Sequence, residues 1–338
     1  MTATITPAGP AASPESTRPV SAVVQSGRGG ALLRRVASTV ASAVGMLWAA
    51  MTLAFLAIHL APGDAVSAVM GEASNPDLRA KVEQDWGLDQ PLIVQYGRYL
   101  GKLLRGDLGY SYVRGESVSD IVFGDQMIST AKLAGVALVI VVVVAPLLAV
   151  LTAGRRGPVA AGVSGIELGV ASAPTFWVGL VLIWVFAFTL RVLPVTSGTE
   201  LQRLVLPGLT LALPIAAVLA QVMRGGIERA LEQPFAVSAR ARGIGALRLT
   251  AGHGLRHSLI PAATLAGWAV SSLLTGTVVV EEVFGRAGLG SATVEAVTYK
   301  DLPVVLAVAL LTATVYLVVT VVVDLAYLWI DRRLREAR

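Results

Sequence analysis

The sequence predicts an all-α, polytopic membrane protein with six transmembrane helices and both termini cytoplasmic. Hydrophobic residues make up 55% of the 338 and charged residues only 14%, against about 25% charged in a typical soluble domain. Six uncharged runs each reach the roughly 20 residues that a helix needs to cross about 30 Å of hydrocarbon. Arginines and lysines gather at alternate ends of those runs, the pattern of cytoplasmic loops.

Residues 1–31 are rich in Ala, Pro, Ser, Thr and Gly without an apolar period. Such a stretch cannot bury enough surface to offset its ordering entropy, so a disordered cytoplasmic tail is expected. Leu32-Leu-Arg-Arg35 leads into the uncharged run Val36 to Gly63, and 32–63 is expected to be the first transmembrane helix. A cleaved signal peptide has an apolar core of only about 7–15 residues; this run is longer, which predicts a retained span.

Residues 64–132 are the longest polar region and are expected to be extracytoplasmic. Asn75-Pro76 opens a predicted helix through Trp86, closed by Gly87. Apolar residues recur at helical spacing over Leu88 to Leu100, and Gly106-Asp-Leu-Gly-Tyr-Ser111 reads as a turn. This region is too short for a core of its own and is expected to pack on the membrane bundle.

Residues 133–331 are expected to form a core of five further spans, followed by a cytoplasmic tail over 332–338. The second span reads as Leu133 to Ala153, followed by the basic turn Gly154-Arg-Arg-Gly157. The third runs over Leu168 to Leu190 with an expected kink at Pro174, and the fourth over Leu204 to Met223 with Pro207 and Pro214. The fifth and sixth read as Leu259 to Val280 and Leu302 to Val323. The tail, the 154–157 turn, the 224–257 segment and the C-terminus hold 16 of the 27 Lys and Arg; the opposite side holds the other 11, outnumbered there by 15 acids. That asymmetry places both ends in the cytoplasm.

Cysteine is absent and histidine is limited to His59, His253 and His257, which excludes disulfides and thiolate metal sites and disfavours a histidine cage. The net charge of +5 lies in short clusters beside apolar runs, so membrane topology accounts for it better than nucleic acid. No phosphate-cradling Gly-x-x-x-x-Gly-Lys-Ser/Thr, nucleophile elbow or His-Glu-x-x-His occurs, and a non-catalytic chain is expected.

Glu167 and Asp324 are the acids inside or at the edge of spans, where ionisable groups are expensive. The expectation is that both sit near the cytoplasmic interface and pair with Arg155, Arg156 or Arg332. His59 reads as an interfacial or packed residue rather than a ligand. Gly267, Ser271, Ser272 and Gly276 on the fifth span suit close helix packing and suit a pathway lining equally well.

The most informative stretch is the basic cytoplasmic loop 224–258, above all Phe235-Ala-Val-Ser-Ala-Arg-Ala-Arg-Gly243 running on to Pro261. Pro234 to Arg242 can start a helix with proline in its first turn, Gly243 and Gly245 interrupt it, and Ala246 to Ser258 can form a second helix. The product is a compact protrusion, Ala-rich with arginine rims, which suits docking into a groove on another protein. A basic helix lying on anionic lipid is the alternative.

Ser238-Ala-Arg-Ala-Arg-Gly243 with Arg256-His-Ser-Leu-Ile-Pro261 resembles the cytoplasmic loop of membrane permease subunits of ABC importers, closest to the first permease of the dipeptide, oligopeptide and nickel subfamily. His59-Leu-Ala-Pro-Gly-Asp64, Trp86 to Tyr96, Leu104 to Gly109, Ala173 to Gly179, Leu193-Pro-Val195, Leu211 to Pro214 and Glu281-Glu-Val-Phe284 with Gly288-Leu-Gly290 resemble that subfamily in order. The resemblance implies a second related permease subunit, two cytoplasmic ATPases that bind the ATP and magnesium, and an extracytoplasmic substrate-binding protein; this chain itself holds no cofactor. It implies import of di- or oligopeptides, with nickel or metal chelates as the alternative cargo. An ion-coupled secondary transporter is the reading from another class.

The resemblance also implies an ATPase-coupling loop at Ser238, Ala239, Arg240, Arg242, Gly243, Gly245, Ala246, Leu247 and Arg248. Ala239 is expected to allow close approach, Arg242 to make polar contacts and Gly243 to break the helix. Many loops of this kind carry glutamate where this sequence has Val237, so an acid-based contact is not carried over.

Overall fold

The computed structural model describes residues 28–60, 76–87, 89–111, 113–155 and 157–330. The chain divides into two units, residues 1–45 and 46–338, and the helical bundle belongs to the second. Residues 1–27 of the expected N-terminal tail, Arg156 and the C-terminal arginines lie outside the described residues, as does the side chain of Asp324; residues 28–31, expected in the tail, are helical.

The described chain is helices joined by turns and irregular connections, with one hairpin of two-residue strands. Helix α1 spans Arg28–Leu60, α2 Pro76–Trp86 and α3 Leu92–Leu104. Strands β1 (Tyr110–Ser111) and β2 (Glu116–Ser117) pair antiparallel, Tyr110 opposite Ser117. Then come α4 (Val118–Phe123), α5 (Asp125–Thr152), α6 (Pro158–Ser172) and α7 (Thr175–Leu182), the last continued by a π-helical segment Ile183–Thr189. Helix α8 spans Glu200–Leu231, α9 Pro234–Ala241 and α10 Ala246–Leu249; a π-helical turn Thr250–Gly254 joins α10 to α11 (Leu255–Thr264). Helices α12 (Ala266–Phe284), α13 (Leu289–Thr298) and α14 (Leu302–Ile330) complete the order.

Among the described residues, the continuous segments Val118–Thr152, Glu200–Leu231 and Leu302–Val322 are long and apolar enough to cross a membrane. Two bent pairs bring the number to five if each is one span: α6 with α7 and its π extension, bent by 119°, and α10–α11 with α12, bent by 59°. A shorter apolar stretch, Ala41–Ala57, lies in α1.

The 119° turn is far more than the kink expected at Pro174. The residue before a proline is driven out of the helical region, and both Ala173 (φ −76°, ψ 141°) and Pro174 (φ −58°, ψ 138°) are extended. Two consecutive extended residues end one helix and begin another. The fifth span is broken in a milder way at Leu265 (φ −92°, ψ −2°).

Helix α8 is the axis of the bundle. It opens on a capping box: Thr199 Oγ1 accepts from the Gln202 amide at 3.4 Å, and Gln202 Oε1 accepts from the Thr199 amide at 2.9 Å. Pro207 and Pro214 sit inside it, and the helix continues because packing on all sides compensates two lost backbone hydrogen bonds. On α5, Leu133, Ala137, Val141, Ala145 and Ala149 recur every four residues and are all buried. This ridge packs with Leu211, Ala212, Ile215, Ala216 and Ala220 of α8 in the main core. Gly276 of α12 sits where a side chain would run into Leu211, so it is a packing position; nothing stands within 4 Å of where a side chain on Gly267 would begin.

Candidate functional site

The loop between α8 and α12 is built around its own small core. Ala236, Ala239 and Leu249 are buried, with Leu231, Phe235 and Ile244 packed against them. Ala236 and Ala239 are three residues apart and so share one face of α9. The end of α9 is a Schellman motif: the Ile244 amide donates to the Ala239 carbonyl at 3.2 Å and the Gly243 amide to the Arg240 carbonyl at 2.9 Å. That closure puts Gly243 in the left-handed region at φ 79°, where any other L-residue is strained.

Of the nine expected coupling residues, Ala239 points inward, only 3% exposed. Its small size lets α9 approach Leu249 rather than an outside partner. Ser238, Arg240, Arg242, Gly243, Gly245, Ala246, Leu247 and Arg248 are on the surface. With them Val237 (61% exposed) and Leu247 (53%) stand in solvent, and both line one cavity together with Arg240. Arg240 donates to the Leu231 carbonyl at 3.1 Å, tying α9 to the end of α8, and Arg242 Nε donates to the Ser238 carbonyl at 3.3 Å.

The loop is keyed to the bundle at two points. Side chains added at Gly254 or Gly226 would meet Ile227 or Ser258 at 2.9 and 3.0 Å, so α8 and the π-turn–α11 segment touch backbone to side chain. Phe235 stacks on His257 with ring centroids 5.3 Å apart and stands 6.3 Å from His253, joining α9 to α11. The π turn inserts an extra residue at this junction, a feature frequent at functional sites. A cavity of about 750 Å³ opens beside the loop, bounded by the Gly154–Arg155 turn, Glu228 of α8 and Glu232 just after it, and Val237 and Arg240.

Beneath the loop lies a buried polar network that sequence reasoning missed. Arg224 of α8 pairs with Glu167 of α6, and also donates to Thr152 Oγ1 and Ser164 Oγ, both at 2.7 Å. Glu167 is 3% exposed; its partner among the described residues is Arg224 and not Arg155, while Arg156 and Arg332, the other expected partners, lie outside those residues. Arg224 thereby ties the end of α5 and the middle of α6 to α8. Its position directly before Gly225-Gly226, at the end of an uncharged run, is the one local signal.

At the opposite end of the bundle, α12 meets α13 in a second network. Glu281 has no exposed surface. Its Oε1 accepts from the Thr130 hydroxyl at 2.5 Å, and its Oε2 accepts from the amides of Gly290 (2.8 Å) and Ser291 (3.1 Å). The carboxylate thus satisfies the first N–H groups of α13. Gly288 and Gly290 leave room for it, since a side chain at either would overlap Glu281 or the Val278 backbone. The block Glu281 to Gly290 is therefore one folded unit, completed by Thr130 of α5.

On the same side, Ser111 of β1 donates to buried Asp301, and Arg114 pairs with Glu295, which docks the hairpin on the α13–α14 junction. His59 is packed: Nδ1 lies 2.8 Å from the Phe55 carbonyl, Nε2 2.9 Å from Gln95 Oε1, and its ring 4.1 Å from that of Phe55.

Residues 145–336 match the family described as binding-protein-dependent transport system inner membrane component, and residues 31–134 match its N-terminal counterpart. The glutathione transport system permease protein GsiC of Salmonella paratyphi A is 33% identical over 285 residues, covering 84% of this chain and 92% of the relative. The protein of the same name from Escherichia coli K12 is 32% identical over 295 residues, covering 86% and 94%. The chain therefore belongs to the binding-protein-dependent inner membrane components, the polytopic permease subunits of ABC importers, within their dipeptide/oligopeptide subfamily.

Proposed function

We propose that this chain and a second, related permease form the translocation pathway for short peptides delivered by an extracytoplasmic binding protein. Two cytoplasmic ATPases, which hold the ATP and magnesium, dock on residues 235–256, and the chain itself performs no catalysis. In this reading six spans leave both termini cytoplasmic, the 64–132 region and the α12–α14 turn face outward, and 154–157 and the loop face the ATPases.

The observation that carries the proposal is the construction of the loop. Its interior is satisfied by Ala236, Ala239 and Leu249, while Val237 and Leu247 stay outside and line a cavity with Arg240 and Arg155. Exposed apolar residues framed by polar ones mark protein interaction sites. ATPase closure pushes this surface, and the contacts at Gly226 and Gly254 carry the push into α8 and α11 as a shift between inward-open and outward-open populations. The named function of the relatives, glutathione transport, favours short peptides as cargo.

The test is uptake of radiolabelled glutathione and of a dipeptide by cells carrying or lacking this gene, with co-purification of the ATPases. ATP-dependent peptide uptake that needs this chain is expected. Recovery of the chain alone, with ion-driven transport in liposomes free of ATPase, would instead establish a secondary transporter.

A further inference from the structure

Helix α3 belongs to the region expected outside the membrane, yet it is built inside out. The residue it buries is Gln95, hydrogen-bonded to His59 and to the Gln90 carbonyl. Tyr96 and Tyr99 pack beside it on the core of Phe55, Leu302 and Leu306. The outward side is apolar: Ile93 is 77% exposed and Leu104 89%. Positions 93 and 104 are about three turns apart on one face, with Leu100 half-buried between them. A side chain added at Gly97 or Gly101 would meet nothing within 4 Å, so no other described residue covers this side. In water, polar groups belong outside and leucines inside; α3 has the reverse order.

The level of α3 is marked by two neighbours. The Tyr96 hydroxyl lies 2.6 Å from that of Thr52, and Gln95 Oε1 2.9 Å from His59 Nε2. Thr52 lies within the apolar stretch Ala41–Ala57, and from it to His59 is about 10 Å along α1. On α14, Leu302 and Leu306 of the shared core form the first turn of the apolar segment Leu302–Val322, long enough to cross a membrane. Helix α3 therefore lies beside the end turns of two apolar helices, not beyond them. An interfacial helix sinks its apolar face about 5–10 Å past the boundary of headgroups and acyl chains, which agrees with that depth.

We propose that α3 is a membrane anchor lying in the outer leaflet, outside the six spans. Ile93, Leu100 and Leu104 enter the acyl chains. Arg98 and Lys102, a turn apart on another flank where they line an open cavity, face the aqueous side. The partner is lipid because the apolar surface continues onto Trp48, Leu53 and Leu56 of α1, which are also exposed, and because glycines separate its large side chains. Fluid hydrocarbon covers such a surface without a matched shape. The inference rests on reading α1 and α14 as spans with the 64–132 region outside.

The chain has no cysteine, so single cysteines can be spin-labelled without a background. Each position from 92 to 104, and Leu53→Cys on α1, is labelled in the full-length chain, reconstituted with its copurifying subunits in vesicles of phosphatidylethanolamine and phosphatidylglycerol. Collisions with oxygen, which concentrates in hydrocarbon, are compared with those of a water-soluble nickel chelate. Should cysteine at buried Gln95 or Tyr99 prevent folding, the remaining positions still sample every face. Along α3 the two accessibilities are expected to oscillate with the helical period and out of phase. The oxygen-to-nickel ratio at Ile93→Cys and Leu104→Cys should resemble that at Leu53→Cys and exceed that at Arg98→Cys severalfold.

Oscillation in phase, with both reagents reaching positions 93 and 104, overturns the anchor by placing that face in water. Exclusion of both reagents there also overturns it, since protein, such as the second permease, would cover the face. Leu53→Cys separates these failures from that of the broader reading: oxygen-rich at 53 but not at 93 and 104 sinks the anchor alone, whereas nickel-rich at 53 sinks the span assigned to α1.

Discussion

The loop around Gly243 and the turn around Gly288 both join helices at an end of the bundle, and they use their polar groups in opposite ways. In the α12–α13 turn the charge is turned inward: Glu281 is fully buried and both its oxygens are met, by Thr130 and by two amides. In the α8–α12 loop the arginines stay in solvent, as do Val237 and Leu247, and only alanines and Leu249 are buried in its small core. The first arrangement is complete without a partner. The second leaves two large apolar side chains on the lining of an open cavity.

The largest effects are expected where charge is buried. Arg224→Ala leaves Glu167 buried without its cation, a loss of about 3–5 kcal/mol, read as a lower thermal midpoint and poor accumulation in the membrane. Removing both charges with Glu167→Gln and Arg224→Gln together should recover most of that loss. If the single variant is as stable as the parent, the clamp is not a stabilising element.

Glu281→Ala is next, at about 2–3 kcal/mol, since it strips acceptors from a buried hydroxyl and two buried amides. Glu281→Gln keeps an acceptor and should cost less. Both are stability defects that lower uptake only in proportion to the protein remaining. A Glu281→Ala protein that is stable yet inactive would break the contrast and give this turn a role in transport.

The loop should behave in the reverse manner. Val237→Asp with Leu247→Asp changes two exposed residues and should leave stability within about 0.5 kcal/mol while abolishing peptide uptake and co-purification of the ATPases. Gly243→Val adds a strain of about 1–2 kcal/mol, confined to the α9 terminus because open space surrounds the position. Uptake that persists at the parental rate in either variant would show that the loop is not where the ATP cycle is received.

These contrasts also mark what the sequence could reveal. Helices α5, α8 and α14 are legible from apolar runs, and the helix–break–helix order of the loop from Pro234, Gly243 and Gly245. The inward face of Ala239 is not, because so short a helix has too few turns for a periodic pattern to choose its buried side. Pro174 announces a disturbance, but its size depends on Ala173 also being extended. The pairs Arg224–Glu167 and Glu281–Thr130 span 57 and 151 residues of sequence. No local spacing records such a meeting, which the packing of α5 and α8 brings about.

The smallest expected effect concerns pH and belongs to the self-contained end. Asp301 is 1% exposed and accepts from the Ser111 hydroxyl. Burial raises its carboxyl above the usual aspartate range, with the Ser111 hydrogen bond opposing only in part. A carboxyl raised on folding binds its proton more tightly in the folded state, so its contribution to stability is complete below the ordinary aspartate pKa near about 4 and is lost as pH rises through the folded value. Docking of the hairpin on the α13–α14 junction should therefore tighten slightly as the outer medium is acidified from neutrality. Hydrogen exchange at Tyr110–Ser117 would register this as slower exchange, after correction for the intrinsic rate. Asp301→Asn retains an acceptor for Ser111 and cannot ionise, so it should flatten the pH dependence and hold the hairpin at neutral pH as firmly as acid holds the parent. A slope of opposite sign, or one unchanged in the variant, would mean that the charged form is the one the fold prefers, and that this end of the bundle also keeps a charge in reserve for a partner.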